Sequence, residues 1–149
     1  MGRTHYFADK VHFPDIDFGG GLYHARYFDY FDKARQAFLD DLGFSFADLM
    51  LQGATFVLVE ANIKYRSPAT LGNTLHIYTR VVGKSSRSLT VEQAMTRDKA
   101  PVPDGGKPFE DLDSLLCLAK ITLVWVDLKN KKAVALPEDL ATALEGGRS

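Results

Sequence analysis

Hydrophobic and polar positions change period along this chain, and the changes mark its elements. Between residues 24 and 42, Tyr27, Phe28, Phe31, Ala34, Phe38, Leu39 and Leu42 recur at three- and four-residue steps. That spacing predicts a long helix with a broad aromatic face, which Gly43 would end as a C′ glycine. Downstream the period falls to two. Residues 55–65 hold Phe56-Val57-Leu58-Val59 followed by alternating Ile63 and Tyr65, and residues 75–82 place Ile77, Thr79 and Val81 on one face. With 88–96 and 115–127 these segments read as long strands, and Lys129-Asn130-Lys131-Lys132 suits a turn. Upstream, residues 5–13 mix aromatics and Val11 with polar residues as a first strand would, and 15–21 form a loop after Pro14. Residues 46–53 read as a shorter helix or turn, and 138–144 as a short helix after Pro137. A helix so aromatic on one side must lie against an equally apolar surface. The chain is therefore expected to be α+β, one domain over 1–149, with the long helix packed on one face of an antiparallel sheet.

The segment 97–114 breaks the pattern. Pro101, Pro103, Gly105, Gly106 and Pro108 among scattered charges read as a long mobile loop between two hairpin strands, a tolerated insertion rather than a lid. No internal repeat and no linker divides the chain.

Composition narrows the function classes. Apolar residues make up 46% and charged residues 25% of 149, and 18 basic against 19 acidic residues give a net charge of -1. That balance argues against a nucleic-acid binder, although a local basic patch for an anionic ligand is allowed. The single cysteine, Cys117, excludes an intramolecular disulfide and a cysteine-based zinc cluster. Lying in the run Leu115-Leu116-Cys117-Leu118, it reads as an inert buried thiol. No apolar stretch approaches a membrane span and the first residues have no signal core, so a cytoplasmic protein is expected.

The chemistry-bearing stretch is Asp15-Ile16-Asp17-Phe18-Gly19-Gly20-Gly21-Leu22-Tyr23-His24. Two carboxylates precede three glycines, and a histidine opens the long helix. Glycines admit a ligand close to the backbone. The N–H groups of a helix start favour developing negative charge, so a thioester carbonyl placed there would be polarised and its oxyanion held. A carboxylate ahead of the glycines could attack the carbonyl carbon or activate water. The same residues have blander uses. Aspartate near a helix start commonly caps it, and His24 could be a packed or surface histidine.

Family likeness separates these readings. The stretch resembles the 4-hydroxybenzoyl-CoA thioesterase-like branch of the hot-dog superfamily, close to the bacterial acyl-CoA thioesterases associated with the Tol–Pal system. The likeness rests on Asp15, Asp17 and Gly20, on Leu22-Tyr23-His24 and Tyr27, and on Ala34-Arg35. It continues through Glu60, Tyr65, Pro68-Ala69, Leu71-Gly72-Asn73 and residues 134–137. It implies a long helix wrapped by a curved antiparallel sheet, and two protomers joined sheet edge to sheet edge with each active site at their interface. It implies Asp17 as catalytic carboxylate, a backbone N–H near His24 as oxyanion donor, the His24 side chain as assistant, and Asp15, Gly20 and Tyr23 as supporting loop residues. Phe18, Gly21 and Asn73 depart from the family pattern, as does the 97–114 insertion.

Coenzyme A carries phosphates, which call for cations. Gly83-Lys84-Ser85-Ser86-Arg87-Ser88, between two predicted strands, is the leading candidate, with Lys84 and Arg87 on phosphate and Ser85 or Ser86 adding hydrogen bonds. A solvated hairpin turn is the alternative. Arg66 and Arg26 are weaker candidates, and the 129–132 run reads as a soluble turn. The expected activity is hydrolysis of an acyl- or aroyl-CoA by a homodimer or homotetramer, without metal or cofactor, CoA being part of the substrate. A 3-hydroxyacyl-thioester dehydratase and a non-catalytic acyl-CoA-binding module are the competing readings.

Overall fold

A computed structural model of the chain describes residues 3–12, 20–103 and 107–146. In chain order it contains β1 (His5–Lys10), α1 (Tyr27–Asp41), α2 (Phe46–Leu51), β2 (Ala54–Tyr65), β3 (Thr74–Lys84), β4 (Ser88–Thr96), β5 (Leu115–Asp127), β6 (Lys132–Ala133) and α3 (Glu138–Leu144). The long helix expected over 24–42 is present, but its first three residues, His24–Arg26, form a 3-10 turn that runs into α1. Gly43 follows at φ 92°, a left-handed conformation that glycine adopts without strain.

All strand pairs are antiparallel, in the order β1-β3-β4-β5-β2 with β6 added beside β5. The sheet curls around α1, which is the hot-dog arrangement. Alternation along the strands sets the inner face. Leu75, Ile77 and Val81 of β3, Leu89, Val91 and Met95 of β4, and Cys117, Ala119, Ile121, Leu123 and Trp125 of β5 meet Tyr27, Tyr30, Phe31, Ala34, Phe38 and Leu39 of α1 in one core. Burial of a large apolar side chain stabilises by about 1.5–3 kcal/mol, so this helix–sheet contact dominates the fold.

Polar contacts fix how α1 lies on the sheet. Gln93, fully buried on β4, donates to the Phe31 carbonyl (3.1 Å) and to Thr79 Oγ1 (3.0 Å), and accepts from Arg35 (3.0 Å). Arg35 also meets Asp32 at 3.2 Å. Tyr30 donates to the Lys10 carbonyl (3.3 Å), Lys33 pairs with Asp9 (3.2 Å), and His5 meets Asp41 (2.6 Å). The helix therefore opens beside Lys10 and ends beside His5.

The expectation of an unstructured insertion over 97–114 is corrected. Its described residues pack on the outer face of the sheet, opposite α1. Phe109 and Leu112 join Tyr78, Ala94 and Leu118 in a second apolar cluster, and a short 3-10 turn, Phe109–Asp111, carries the phenylalanine. The Tyr78 hydroxyl donates to the Ala100 carbonyl (3.0 Å) and accepts from the Ala100 N–H (2.9 Å). Arg80 lies 3.8 Å over the Phe109 ring, pairs with Glu92 at 2.6 Å, and donates to the Lys107 carbonyl. These contacts anchor the segment on the face away from α1.

Candidate active site at the opening of the long helix

Asp15 and Asp17 lie at residues 13–19, outside the described residues. The residues that follow them in the chain are described. Gly20 has φ 81°, where an L side chain would be strained, so a glycine is required here by conformation. Gly21 bridges to Thr70 and the Leu22 N–H donates to the Ala69 carbonyl (2.6 Å), which stitches the loop exit to the β2–β3 connection. A Cβ at Gly21 would meet the Ala69 carbonyl and the Pro68 Cβ at ordinary contact distances of 3.5 Å.

That connection is itself held by Asn73. Its side-chain oxygen accepts from the Thr70 N–H (2.8 Å) and hydroxyl (3.0 Å), and the Val11 N–H donates to its carbonyl (3.0 Å). An amide oxygen serves this turn as a carboxylate oxygen would, which accounts for the tolerated departure from the family pattern.

The helix opening follows directly. The Tyr23 carbonyl accepts from the Arg26 N–H at 2.8 Å, closing the 3-10 turn, and neither the Tyr23 nor the Arg26 side chain caps the helix. The N–H groups of His24 and Ala25 precede the first possible intrahelical acceptor. Around them stands an aromatic cluster. The Tyr27 and Tyr65 rings meet edge to face at 5.1 Å, the Tyr23 and His24 rings lie 4.7 Å apart, and the His24 ring lies 6.4 Å from Tyr65. The Tyr27 hydroxyl accepts from the Ala69 N–H (3.0 Å), and the Tyr65 hydroxyl donates to the His24 carbonyl (2.9 Å). Burial pushes the Tyr65 phenol above its ordinary pKa, with Cys117 and Tyr27 adding smaller contributions in the same direction. Tyr23, His24 and Tyr65 are all exposed at this end of the molecule.

In the sequence Tyr65 is an aromatic residue at the end of a strand and one of the positions of the family likeness, with no role attached to it. Its pairing with Cys117 puts it on the inner face, and the topology then brings it to a helix start 41 residues earlier.

The expected phosphate-binding hairpin lies elsewhere. Lys84 ends β3 and pairs with Glu145 at 3.0 Å, and Ser85 shapes the turn by accepting from the Arg87 and Ser88 N–H groups. The Trp125 N–H donates to the Arg87 carbonyl, while Tyr65 pairs with Cys117. Eight residues of β5 separate those two levels, or about 26 Å at the strand rise of roughly 3.3 Å per residue. Within one protomer the hairpin and the helix opening are thus at opposite ends of the sheet. Arg26 and Arg66 are at the helix-opening end, Arg26 meeting Asp29 at 3.1 Å and Arg66 meeting Glu110 at 4.0 Å.

Concavities elsewhere on the described residues lie away from the helix opening. One of about 230 Å³ sits at the far end of α1 between Phe38, Leu42, Val81 and Leu144, and one of about 440 Å³ is a charged groove on the outer face. A third, open one of about 690 Å³ lies beside Phe44, Glu138, Asp139 and Thr142 at the start of α3. None of the three is lined by Gly20, His24 or Tyr65.

Comparison with known proteins agrees with this fold. The sequence profile of the thioesterase-like superfamily matches residues 11–144. The acyl-CoA thioesterase YbgC of Haemophilus influenzae is 30% identical over 138 residues, covering 92% of this chain and 91% of that protein. The long-chain acyl-CoA thioesterase FadM of Escherichia coli is 31% identical over 136 residues, covering 91% and 93%. The crystal structure of YbaW, a probable thioesterase from Escherichia coli, superposes with a TM-score of 0.70 at 30% identity, covering 95% of this chain and 96% of that one. The chain belongs to the thioesterase-like, hot-dog superfamily, in the branch of the YbgC and FadM proteins.

Proposed function

We propose that the protein is an acyl-CoA thioesterase that hydrolyses an acyl- or aroyl-CoA to the free acid and CoA at the opening of α1. The observation that carries this reading is the 3-10 turn at His24–Arg26, whose leading amides are uncapped by Tyr23 and follow Asp17 and the Gly19-Gly20-Gly21 run in the sequence. In the proposed reaction the thioester carbonyl oxygen lies against those amides. Asp17, ionised at neutral pH, either attacks the carbonyl carbon or takes a proton from an attacking water. Negative charge then grows on the carbonyl oxygen where the helix-start N–H groups can meet it, and the C–S bond breaks to release CoA as a thiolate that takes up a proton. On the nucleophilic route water then hydrolyses the acyl–Asp17 anhydride to the free acid and restores Asp17. His24 at the rim assists, and Asp15, Gly20 and Tyr23 support the loop. On this reading no cofactor is needed, CoA being part of the substrate.

The phosphates of CoA are assigned to Lys84, Ser85, Ser86 and Arg87, and the sheet geometry adds a condition. Because that hairpin lies about 26 Å along the sheet from Tyr65 at the usual strand rise, it serves a site in a partner protomer. The edge strand β2 exposes Val57, Leu58 and Val59, and pairing two such edges about a two-fold axis would run them antiparallel. That pairing brings the hairpin end of one protomer to the helix-opening end of the other. A homodimer is therefore part of the proposal.

Free-thiol release over short, long and aromatic acyl-CoAs tests the reading, with Asp17→Asn beside the wild type. The wild type should release CoA, and Asp17→Asn should keep its fold while kcat falls at least about 100-fold, the usual scale for losing a general base. Asp17→Asn at the wild-type rate would remove Asp17 from the mechanism. Hydration of a crotonyl thioester without thiol release would favour the dehydratase, and thermal stabilisation by acyl-CoA without turnover would favour a binding module.

A further inference from the structure

We propose that Tyr65 is a positioning residue of this site, holding the His24–Ala25 peptide so that the Ala25 N–H stands beside the His24 N–H as a second donor to the oxyanion. The inference rests on the thioesterase reading above.

The geometry begins with one hydrogen bond, 2.9 Å from the Tyr65 hydroxyl to the His24 carbonyl oxygen. That oxygen and the Ala25 N–H belong to the same planar amide and point in opposite directions. A donor that pins the oxygen from the β2 side therefore fixes the direction of the N–H, away from β2's hydroxyl and out of the helix start. In a helix, N–H groups point toward the N-terminus, here toward the glycine loop. The preceding amide is held in the same way, since the Tyr23 carbonyl accepts from the Arg26 N–H at 2.8 Å. Two successive peptides thus have their carbonyls tied behind them and their N–H groups in front, without an acceptor inside the helix.

The hydroxyl is rigidly placed. Its ring meets Tyr27 edge to face at 5.1 Å, and the Tyr27 hydroxyl is fixed by the Ala69 N–H at 3.0 Å. Tyr65 is also in register with Cys117 on β5. The bond also has an electronic effect. Donation to an amide oxygen polarises that amide and strengthens its N–H as a donor. Because burial raises the phenol's pKa, the hydroxyl remains a donor at neutral pH.

Tyr65→Phe removes the hydroxyl and keeps the ring, whereas Tyr65→Leu removes both. Each is assayed as the full chain by thiol release, well below its own melting midpoint so that lost stability cannot mimic lost chemistry. Both variants should lose about tenfold in kcat, less than the 100-fold typical of deleting an oxyanion donor outright, with KM changed less than about twofold. The loss in Tyr65→Phe should be constant between pH 6 and 9, since the phenol does not ionise there. A kcat within twofold of wild type for Tyr65→Phe, with only Tyr65→Leu impaired, would show that the ring matters and overturn the inference. A loss confined to KM would overturn it as well. A wild type that releases no thiol from any acyl-CoA would instead defeat the thioesterase reading on which the inference rests.

Discussion

Cys117 shows how a single side chain constrains the chemistry. It lies on the inner face of β5, fully buried in the core beneath α1 and in register with Tyr65. Burial pushes its thiol up to about 12, a backbone hydrogen bond from Leu118 offsetting only part of that. A thiol so reluctant to ionise is a poor nucleophile at neutral pH, which argues against Cys117 in that role in the proposed reaction. The same shift has a consequence for stability. Between about pH 9, where the thiol ionises in the unfolded chain, and about pH 12 the unfolded state has lost a proton that the folded state keeps. Folding therefore loses about 1.4 kcal/mol per pH unit across that window, and nothing below it. Tyrosines and lysines titrate there too, so the measurement is a difference. Urea unfolding of wild type and Cys117→Ala at pH 8 and 10.5 should show the wild type losing about 2 kcal/mol more than the variant. An equal loss in both would mean that the thiol is not held protonated by burial.

At the scale of elements, the 97–114 segment behaves as a built part of the sheet rather than as an ornament on it. Phe109 is 1% exposed, under the Arg80 guanidinium and against Tyr78, Ala94 and Leu118. Truncating it should cost about 3–5 kcal/mol, the usual range for a buried phenylalanine. Phe109→Ala should accordingly unfold at lower urea and be cleaved faster by protease between residues 97 and 114. Because the segment covers the face opposite α1, kcat for thiol release should stay within about twofold in the folded variant, as for sites with no shared partners. A collapse of kcat with unchanged stability would make the segment a lid after all. Its anchoring left a trace in the sequence. Where strands alternate cleanly, as along Ile121, Leu123 and Trp125, one face is buried and the other partly exposed. At Ile77-Tyr78, Ala94-Met95 and Leu116-Cys117-Leu118-Ala119 the alternation fails, as it must when both faces are covered. The long helix and the strands were legible because burial on one side imposes a period. The cover was not, because prolines and glycines hide the single phenylalanine that carries it. The site was legible in the same uneven way. Spacing and family likeness point to Asp17 and His24, but a contact between Tyr65 and the His24 carbonyl depends on which strand ends beside the helix, and no local pattern encodes that.

The whole molecule raises the question of what completes the site. Edge strand β2 is twelve residues long, and its Val57, Leu58 and Val59 are 40%, 40% and 57% exposed. An exposed apolar edge of that length invites pairing, and a second copy supplies the matching edge. In a two-fold pairing Ala54 of one protomer approaches Tyr65 of the other, so the Lys84–Arg87 hairpin of one would face the helix opening of its partner. That arrangement separates the catalytic carboxylate and the phosphate-binding cations of one site onto two chains. Complementation tests it. Asp17→Asn and Arg87→Ala homodimers are each defective at every site, the first in chemistry and the second in CoA binding at low substrate. A heterodimer carrying one variant on each chain, purified through two different tags, has one site with both changes and one with neither. It should recover about half of the wild-type kcat/KM, since each site of a two-fold dimer turns over independently. If both groups came from the same chain, every site of the heterodimer would carry one of the two changes and no activity would return. Recovery thus requires the shared site.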